Sequence, residues 1–187
     1  MLNLIVLLTL CLLPQKEVKH PNMDSDISDR TFNDVLNSYV DNEGRVDYNS
    51  IRENPFALQP FLDFVGSFSP QFNPELFPTN NDKKAYWINT YNGLMIQTVI
   101  ENPEISSVKE IGWGYGVFWR KKYKVGGELL TLNHIEHKIL RGQYNDPRIH
   151  FAINCASNSC PPIGHRIVTG INLDQQLNDK TRDFINN

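Results

Sequence analysis

The chain has 187 residues, a length that suits one domain. Hydrophobic residues make up 40% of it and aromatic residues 11%, which is enough to bury a core and excludes a wholly disordered chain. The formal net charge is −3, so charge gives no reason to expect nucleic acid or an acidic membrane surface as a partner. We interpret the basic cluster at residues 120–124 as the solvated face of a strand.

The N-terminal end carries an apolar run at residues 4–13. This run is too short to cross a bilayer, which takes about 20 residues. It fits the hydrophobic segment of a secretory signal peptide. We therefore expect a signal-peptide-like segment at 1–14, a polar linker at 15–30 and a folded domain at 31–187. The expected location is secreted or periplasmic, without a stable membrane span.

Three helices are predicted in the first half of the folded part. Thr31 or Asn33 could cap a helix that runs to residue 40, because its apolar residues recur at helical spacing. A second helix is predicted at 55–66. The third, at 82–100, carries large apolar groups on nearly every turn, so we expect it to be central and mostly buried.

The predicted central helix contains two asparagines, Asn89 and Asn92, which are three residues apart and share one side of the helix. A buried asparagine needs partners for its amide donors and its acceptor. Both side chains could fasten loops to the core. Alternatively, Asn89 orients a catalytic imidazole or donates to a developing oxyanion, and Asn92 contacts a substrate.

A β-hairpin is predicted after the central helix. Residues 118–125 alternate loosely as a strand does, Gly126-Gly127 is a turn signal, and Leu129-Leu130 gives the return strand. We therefore predict a mixed α/β (α+β) fold, a single globular domain in which the central helix packs on a small sheet. The aromatic-glycine loop before the hairpin makes Trp113 and Trp119 candidate ligand-binding residues.

The next predicted helix begins at the cap Thr131, ends at Arg141-Gly142 and carries two histidines and a glutamate. His134 and His137 are three apart, but without an H-E-x-x-H pattern we predict no metal site. Glu136 and its neighbour His137 diverge by about 100° around a helix. Either of them could face the cysteine loop that follows.

The cysteine loop spans residues 150–162 and is the strongest candidate for a reactive site. It opens with His150 and a predicted buried strand at 151–153, and it contains Cys155 and Cys160. In an oxidising compartment the two cysteines favour a disulfide, and in a reducing one they are free thiols.

A thiol mechanism needs a thiolate with an imidazole beside it. Cys160 is the preferred nucleophile, with Cys155 as the second choice. His137, approaching from its helix, is preferred to His150 as the base, and Glu136 or Asn89 would orient the imidazole. Asn154, in the polar loop, is a further candidate for contacting substrate.

Five blocks of the sequence carry a family resemblance, namely Tyr39-Val40, Gly44 to Tyr48, Lys84 to Gly93, Leu132 to Arg141 and Asp146 to Pro162. Together they resemble the DUF547 domain, a family of unknown function. The resemblance runs from about residue 31 to the end of the chain. It implies a mixed α/β domain, frequent export in bacteria, and plant relatives in which the domain accompanies coiled-coil segments. It also implies a chain that is incomplete at its C-terminus and lacks a final strand pair.

Two functions remain open at this point. The first is a cysteine-dependent hydrolase or transferase that acts on an amide or a thioester. The second is a non-catalytic module that presents its aromatic loop to a peptide or a glycan. We expect no cofactor for either function.

Overall fold

The computed structural model describes residues 21–157 and 159–186. Short 3₁₀ turns and one π-helix join the α-helices in this part of the chain. The 3₁₀ turns are Pro74–Leu76, Val108–Glu110, Pro147–Phe151 and Gly170–Asn172, and the π-helix is His134–Leu140. The α-helices are α1 (Pro21–Tyr39), α2 (Tyr48–Glu53), α3 (Gln59–Ser67), α4 (Asn80–Ile100), α5 (Gly116–Trp119), α6 (Arg141–Tyr144) and α7 (Leu173–Asn186).

The predicted hairpin is confirmed. Strands β1 (Lys122–Val125) and β2 (Glu128–Thr131) pair antiparallel, with Lys124 opposite Leu129. Gly126 and Gly127 form the turn with φ of +57° and +88°, a left-handed pair that suits a tight hairpin.

Helix α4 is the central element, as predicted. A capping box between Thr79 and Asp82 starts it, since each side chain accepts from the backbone N–H of the other residue. Thirteen consecutive residues, 84–96, are buried. The helix contacts α2, α3, the π-helix and the 170–172 turn, and the Thr98 hydroxyl bonds that of Tyr123 in β1. The mixed fold is therefore confirmed, and it is rich in helix.

Helix α1 begins at Pro21, ten residues before the position predicted for its cap. Thr31 caps nothing and instead donates to the Ser28 carbonyl within the helix, at 2.9 Å. The signal-peptide-like segment and residues 15–20 of the linker lie outside the described residues. In the described part of the chain, no helix is long and apolar enough to cross a bilayer.

The predicted strand at 151–153 is wrong. Asp146 accepts from the Arg148 N–H at 3.1 Å and Pro147 takes the first helical position, so the chain enters a 3₁₀ helix that ends at Phe151. The helix predicted to stop at Arg141-Gly142 also continues, and it ends at Asn145 in a left-handed conformation.

A partly buried ion network fastens the end of the chain to the central helix. The Asp146 carboxylate accepts from Lys84 of α4 at 2.9 Å and from the Arg148 guanidinium at 2.9 and 2.8 Å. Arg148 in turn donates to Asp174 of α7 at 2.8 Å. These ion pairs hold the chain that precedes the cysteine loop in one place.

Candidate functional site

A cavity of about 340 Å³ gathers residues that lie far apart in the sequence. Aromatic side chains of the 114–119 segment form one wall, and the π-helix and the cysteine loop form two others. A larger cavity of about 680 Å³ lies between α3 and β1, but its polar lining contains none of the predicted site residues. The smaller cavity is therefore the candidate site. It is lined by Cys155, Cys160, Glu136, His137, His150 and Trp119 among the predicted residues.

The π-helix sets the positions of Glu136 and His137. Its first turn is capped by Thr131, as predicted, whose hydroxyl accepts from the His134 N–H at 3.1 Å. At its end the Arg141 N–H donates to the Glu136 carbonyl, a bond that spans five residues. Such an insertion re-aims side chains, and π-helices are frequent at functional sites.

A polar network crosses the cavity wall around Glu136. One carboxylate oxygen accepts from the Tyr91 hydroxyl at 3.2 Å, and the other accepts from Nε and Nη2 of Arg141 at 3.1 and 2.8 Å. His137 Nε2 lies 4.0 Å from the same carboxylate, which is too far for a hydrogen bond. The charges of Glu136 and Arg141 compensate each other.

Arg141 also fixes one imidazole of the cavity. Its Nη2 lies 3.2 Å from Nδ1 of His150. A guanidinium can only donate, so Nδ1 of His150 is the acceptor in this contact and the neutral ring carries its proton on Nε2. His150 is thereby available as a hydrogen-bond donor.

Tyr91 contributes a buried phenol to the network. Burial, with the Glu136 carboxylate close by, raises its pKa well above the ordinary value. The hydroxyl therefore stays protonated and donates to Glu136 at every physiological pH.

Cys155 and Cys160 form a disulfide, the first of the two alternatives left open by the sequence. The Cys155 N–H donates to Sγ of Cys160 at 3.3 Å, and the following Ala156 has a φ of +56°. Both sulfurs are bonded to each other, so neither is a thiolate in this state. Among the described residues, neither His137 nor His150 makes a hydrogen bond to a sulfur.

The two asparagines of α4 fasten loops to the core. Asn89 donates to the Val168 carbonyl at 2.8 Å and accepts from the Val168 N–H at 2.9 Å, away from the candidate cavity. Asn92 donates to the Ala152 carbonyl and accepts from the Asn154 N–H, both at 2.9 Å. Asn92 thus positions the cysteine loop without lining the cavity.

Asn154 is also engaged within its own loop. Its side chain donates to the Pro161 carbonyl and accepts from the Ala156 N–H, each at 2.7 Å. This side chain is not part of the cavity lining. Its role here is to hold the loop that carries the disulfide.

Four consecutive residues of the aromatic loop, 112–115, have a left-handed backbone with φ between +58° and +71°. Two of them, Trp113 and Tyr115, are not glycine, and such a conformation costs about 1–2 kcal/mol for an L-residue. The Trp113 side chain is 88% exposed and is not part of the cavity lining. Trp119, 63% exposed, lines the cavity.

A family model described as "Protein of unknown function, DUF547" matches residues 76–185, more than half of the chain. The chain belongs to the DUF547 family. The matched region contains every residue that lines the candidate cavity. No match to the chain was found among curated proteins or among solved structures.

Sequence reasoning missed both hydrogen-bond partners of Glu136 in this DUF547 chain, Tyr91 and Arg141. Arg141 lies five positions after Glu136, and in an α-helix side chains at that spacing diverge by about 140°. Only the π-helix brings them together. Tyr91 lies next to Asn92 in the sequence, and its polar tip on a strongly apolar helix was the signal for a buried partner. No cluster of three or more metal-ligating side chains occurs in the described ranges.

Proposed function

We propose that this DUF547 domain is a non-catalytic module that binds a sugar residue of a neutral glycan in the candidate cavity. The observation that carries the proposal is the exposed Trp119 beside a charge-balanced polar network. Open cavities that combine an aromatic wall with a few polar groups are the default binding sites of proteins.

The aromatic wall supports a sugar as the ligand. Trp119, Phe118 and Tyr115 line one side of the cavity, and Trp119 keeps most of its surface exposed. An aromatic face is negative and attracts the slightly positive C–H groups on the face of a sugar ring. A side chain that large is exposed to water at a cost which a stacked ligand would remove.

The polar wall supports a neutral ligand. Glu136 lines the cavity and is paired with Arg141 at 2.8 Å, so the wall offers a carboxylate acceptor whose charge is compensated. His150 adds an N–H donor, and His137, which is 51% exposed, adds a second imidazole to the lining. Hydroxyl groups, which both donate and accept, match such a set.

The placement of the hairpin favours a glycan over an extended peptide. Peptides that bind by main-chain pairing add a strand to a sheet edge. Among the described residues, none from β1 or β2 lines the cavity. The disulfide also suits a secreted or periplasmic location, where glycans are exposed and the compartment is oxidising.

The proposal is tested by titrating the native protein with neutral oligosaccharides of glucose, xylose, mannose and N-acetylglucosamine. Calorimetry and tryptophan fluorescence report binding, since Trp119 lies in the cavity. We expect saturable binding of one class with one site. If no member of the panel binds at millimolar concentration, glycan binding by this cavity is wrong.

A second candidate function is the cysteine-dependent hydrolase or transferase. One observation favours it, because Cys155, Cys160, His137, His150 and Glu136 all line the same cavity. A dithiol reductant would have to supply two electrons and two protons to the disulfide before Cys160 could attack an amide or thioester.

The second candidate is tested on the reduced protein at neutral pH. An activated thiol reacts with iodoacetamide much faster than free cysteine, and a Cys160→Ala variant should lose that fast phase. A control at Cys155→Ala separates the two sulfurs. Slow, equal alkylation of both cysteines after reduction contradicts a thiol mechanism.

A further inference from the structure

A second polar cavity, of about 300 Å³, lies between α2 and the chain that follows α4. None of its lining residues lines the candidate cavity described above, which is called the aromatic cavity from here on. Its wall carries one arginine, Arg52, together with polar side chains on both sides. These polar side chains include Asp47, Asn102 and Ser107.

Arg52 is a charged side chain without a protein partner among the described residues. Its Nε is buried, and no group in that part of the chain accepts from it. Within the same residues, no carboxylate lies within 4.0 Å of its guanidinium, whereas Arg141 and Arg148 are both paired with carboxylates. A buried donor on a charged group is costly when it is unsatisfied, so such a group calls for a specific explanation.

Asp47 lines the same cavity but does not neutralise Arg52. Its carboxylate caps α2, accepting from the N–H of Ser50 at 3.1 Å and from the Ser50 hydroxyl at 2.7 Å. These hydrogen bonds from Ser50 lower the pKa of Asp47. The acid of the cavity is thus engaged in the fold, and the arginine is not.

We propose that Arg52 binds a small oxyanion, a carboxylate or phosphate group of a ligand, in this cavity. The guanidinium is a planar fork of donors whose geometry matches two oxygens of such a group, and the Arg52 side chain lines the cavity. Ser107 accepts from the Lys109 N–H at 3.3 Å, which leaves its hydroxyl proton for the anion. Asn102 uses one amide proton on the Thr98 carbonyl and has another to donate.

The proposed oxyanion site lies against the cysteine loop, but it is separate from the cavity proposed to bind a glycan. Ala156 lines the oxyanion cavity, while the preceding Cys155 lines the aromatic one. The two cavities are therefore lined by adjacent residues of the same loop. Neither proposal depends on the success of the other.

Isothermal titration calorimetry of the native protein tests the proposal, with inorganic phosphate and acetate titrated separately into a chloride buffer of constant ionic strength. We expect saturable one-site binding of at least one of them. Phosphate alone identifies a phosphate group, acetate alone a carboxylate, and both an oxyanion in general. No saturable binding of either anion overturns the proposal.

Variants locate the site. Arg52→Gln should weaken binding at least about tenfold, because it removes a charge-assisted donor pair. Arg52→Lys keeps the charge but loses the planar fork of donors, so its affinity for the anion should lie between that of the native chain and that of Arg52→Gln. Arg30→Gln, an exposed arginine outside the cavity, should bind as the native chain does. Unchanged affinity in both folded Arg52 variants, checked by circular dichroism, overturns the assignment to Arg52.

Discussion

The Arg141 guanidinium donates two hydrogen bonds to a single carboxylate oxygen of Glu136, at 3.1 and 2.8 Å. The contact exists because a π-helix joins two residues that an α-helix would separate. It leaves the other carboxylate oxygen to the Tyr91 hydroxyl, so the network links the central helix to the cavity wall.

Replacing Glu136 with Gln should lower the free energy of unfolding by about 1–2 kcal/mol, because a charged acceptor becomes a neutral one and Arg141 loses its counter-charge. The Glu136 side chain is only 18% exposed, so water compensates little of this loss. Urea denaturation measures the change. A double-mutant cycle that combines Tyr91→Phe with Glu136→Ala, which leaves no side-chain partner for the Tyr91 hydroxyl, should give a coupling of about 1 kcal/mol. Additive effects of the two variants would mean that the hydrogen bond contributes nothing.

Only part of the cavity lining could be predicted from the sequence. Six of the predicted site residues line the cavity, and four do not, namely Asn89, Asn92, Trp113 and Asn154. The pattern predicts that the cysteine loop and the helix with Glu136 and His137 face each other, and the structure brings them together. Thr131 and the Gly126-Gly127 turn are local signals, since a cap and a left-handed pair depend on adjacent residues only. The central helix is equally predictable, because its apolar residues surround it on nearly every turn.

Contacts between distant segments could not be predicted. Asn89 pairs with a backbone 79 residues away and Asn92 with one 60 residues away, so their roles depend on the packing of loops that carry no pattern. The apolar residues at 151–153 favour a strand when taken alone, since short apolar runs do not distinguish strands from other buried segments. The cap at Asp146 and the proline at position 147 favour a 3₁₀ helix over a strand in this segment.

Asn92 and Asn89 form a matched pair for separating stability from binding. Each bridges a backbone donor and a backbone acceptor in a buried place, so each Ala variant should lose about 2–3 kcal/mol of folding free energy. Only Asn92→Ala releases the cysteine loop, and only that variant should weaken ligand binding. Calorimetric titration below the melting temperature compares them. Equal loss of affinity in both variants would contradict the distinction.

Acid should destabilise the protein through Asp146. Hydrogen bonds from Arg148 and Lys84 hold the pKa of this carboxyl well below its usual range. A lowered acid pKa contributes stability above the unfolded value of about 4, and that contribution disappears as the pH falls below it. The free energy of unfolding should therefore decrease between about pH 5 and pH 2.

The variant Asp146→Asn isolates this contribution. At pH 7 it should cost about 3 kcal/mol, because Lys84 keeps a buried charge without a partner. Its stability should then fall less steeply with acid than that of the native chain. Asp63→Asn, at an exposed carboxylate, serves as the control and should stay within about 0.5 kcal/mol of the native value. Parallel pH profiles for Asp146→Asn and the native chain would contradict the role of Asp146.

Two substitutions in the left-handed loop at 112–115 should have opposite effects on the stability of the fold. Gly114 has a φ of +58° and open space where a Cβ would lie, so Gly114→Ala should cost about 1 kcal/mol through backbone strain alone. Trp113 has nearly the same φ with an exposed side chain, so Trp113→Gly should stabilise the fold by about 0.5–1 kcal/mol. Thermal unfolding measures both. Destabilisation by Trp113→Gly would contradict a strained loop.

The proposed function requires that Trp119 stacks on a sugar, and Trp113, six positions earlier in the chain, supplies the control. Both Trp119 and Trp113 are exposed, but only Trp119 lines the cavity. The decisive measurement is the affinity of Trp119→Ala and Trp113→Ala for the oligosaccharide that binds the native chain. We predict a loss of at least about tenfold for Trp119→Ala and less than about twofold for Trp113→Ala. Native affinity in Trp119→Ala, or an equal loss in both variants, would contradict the account.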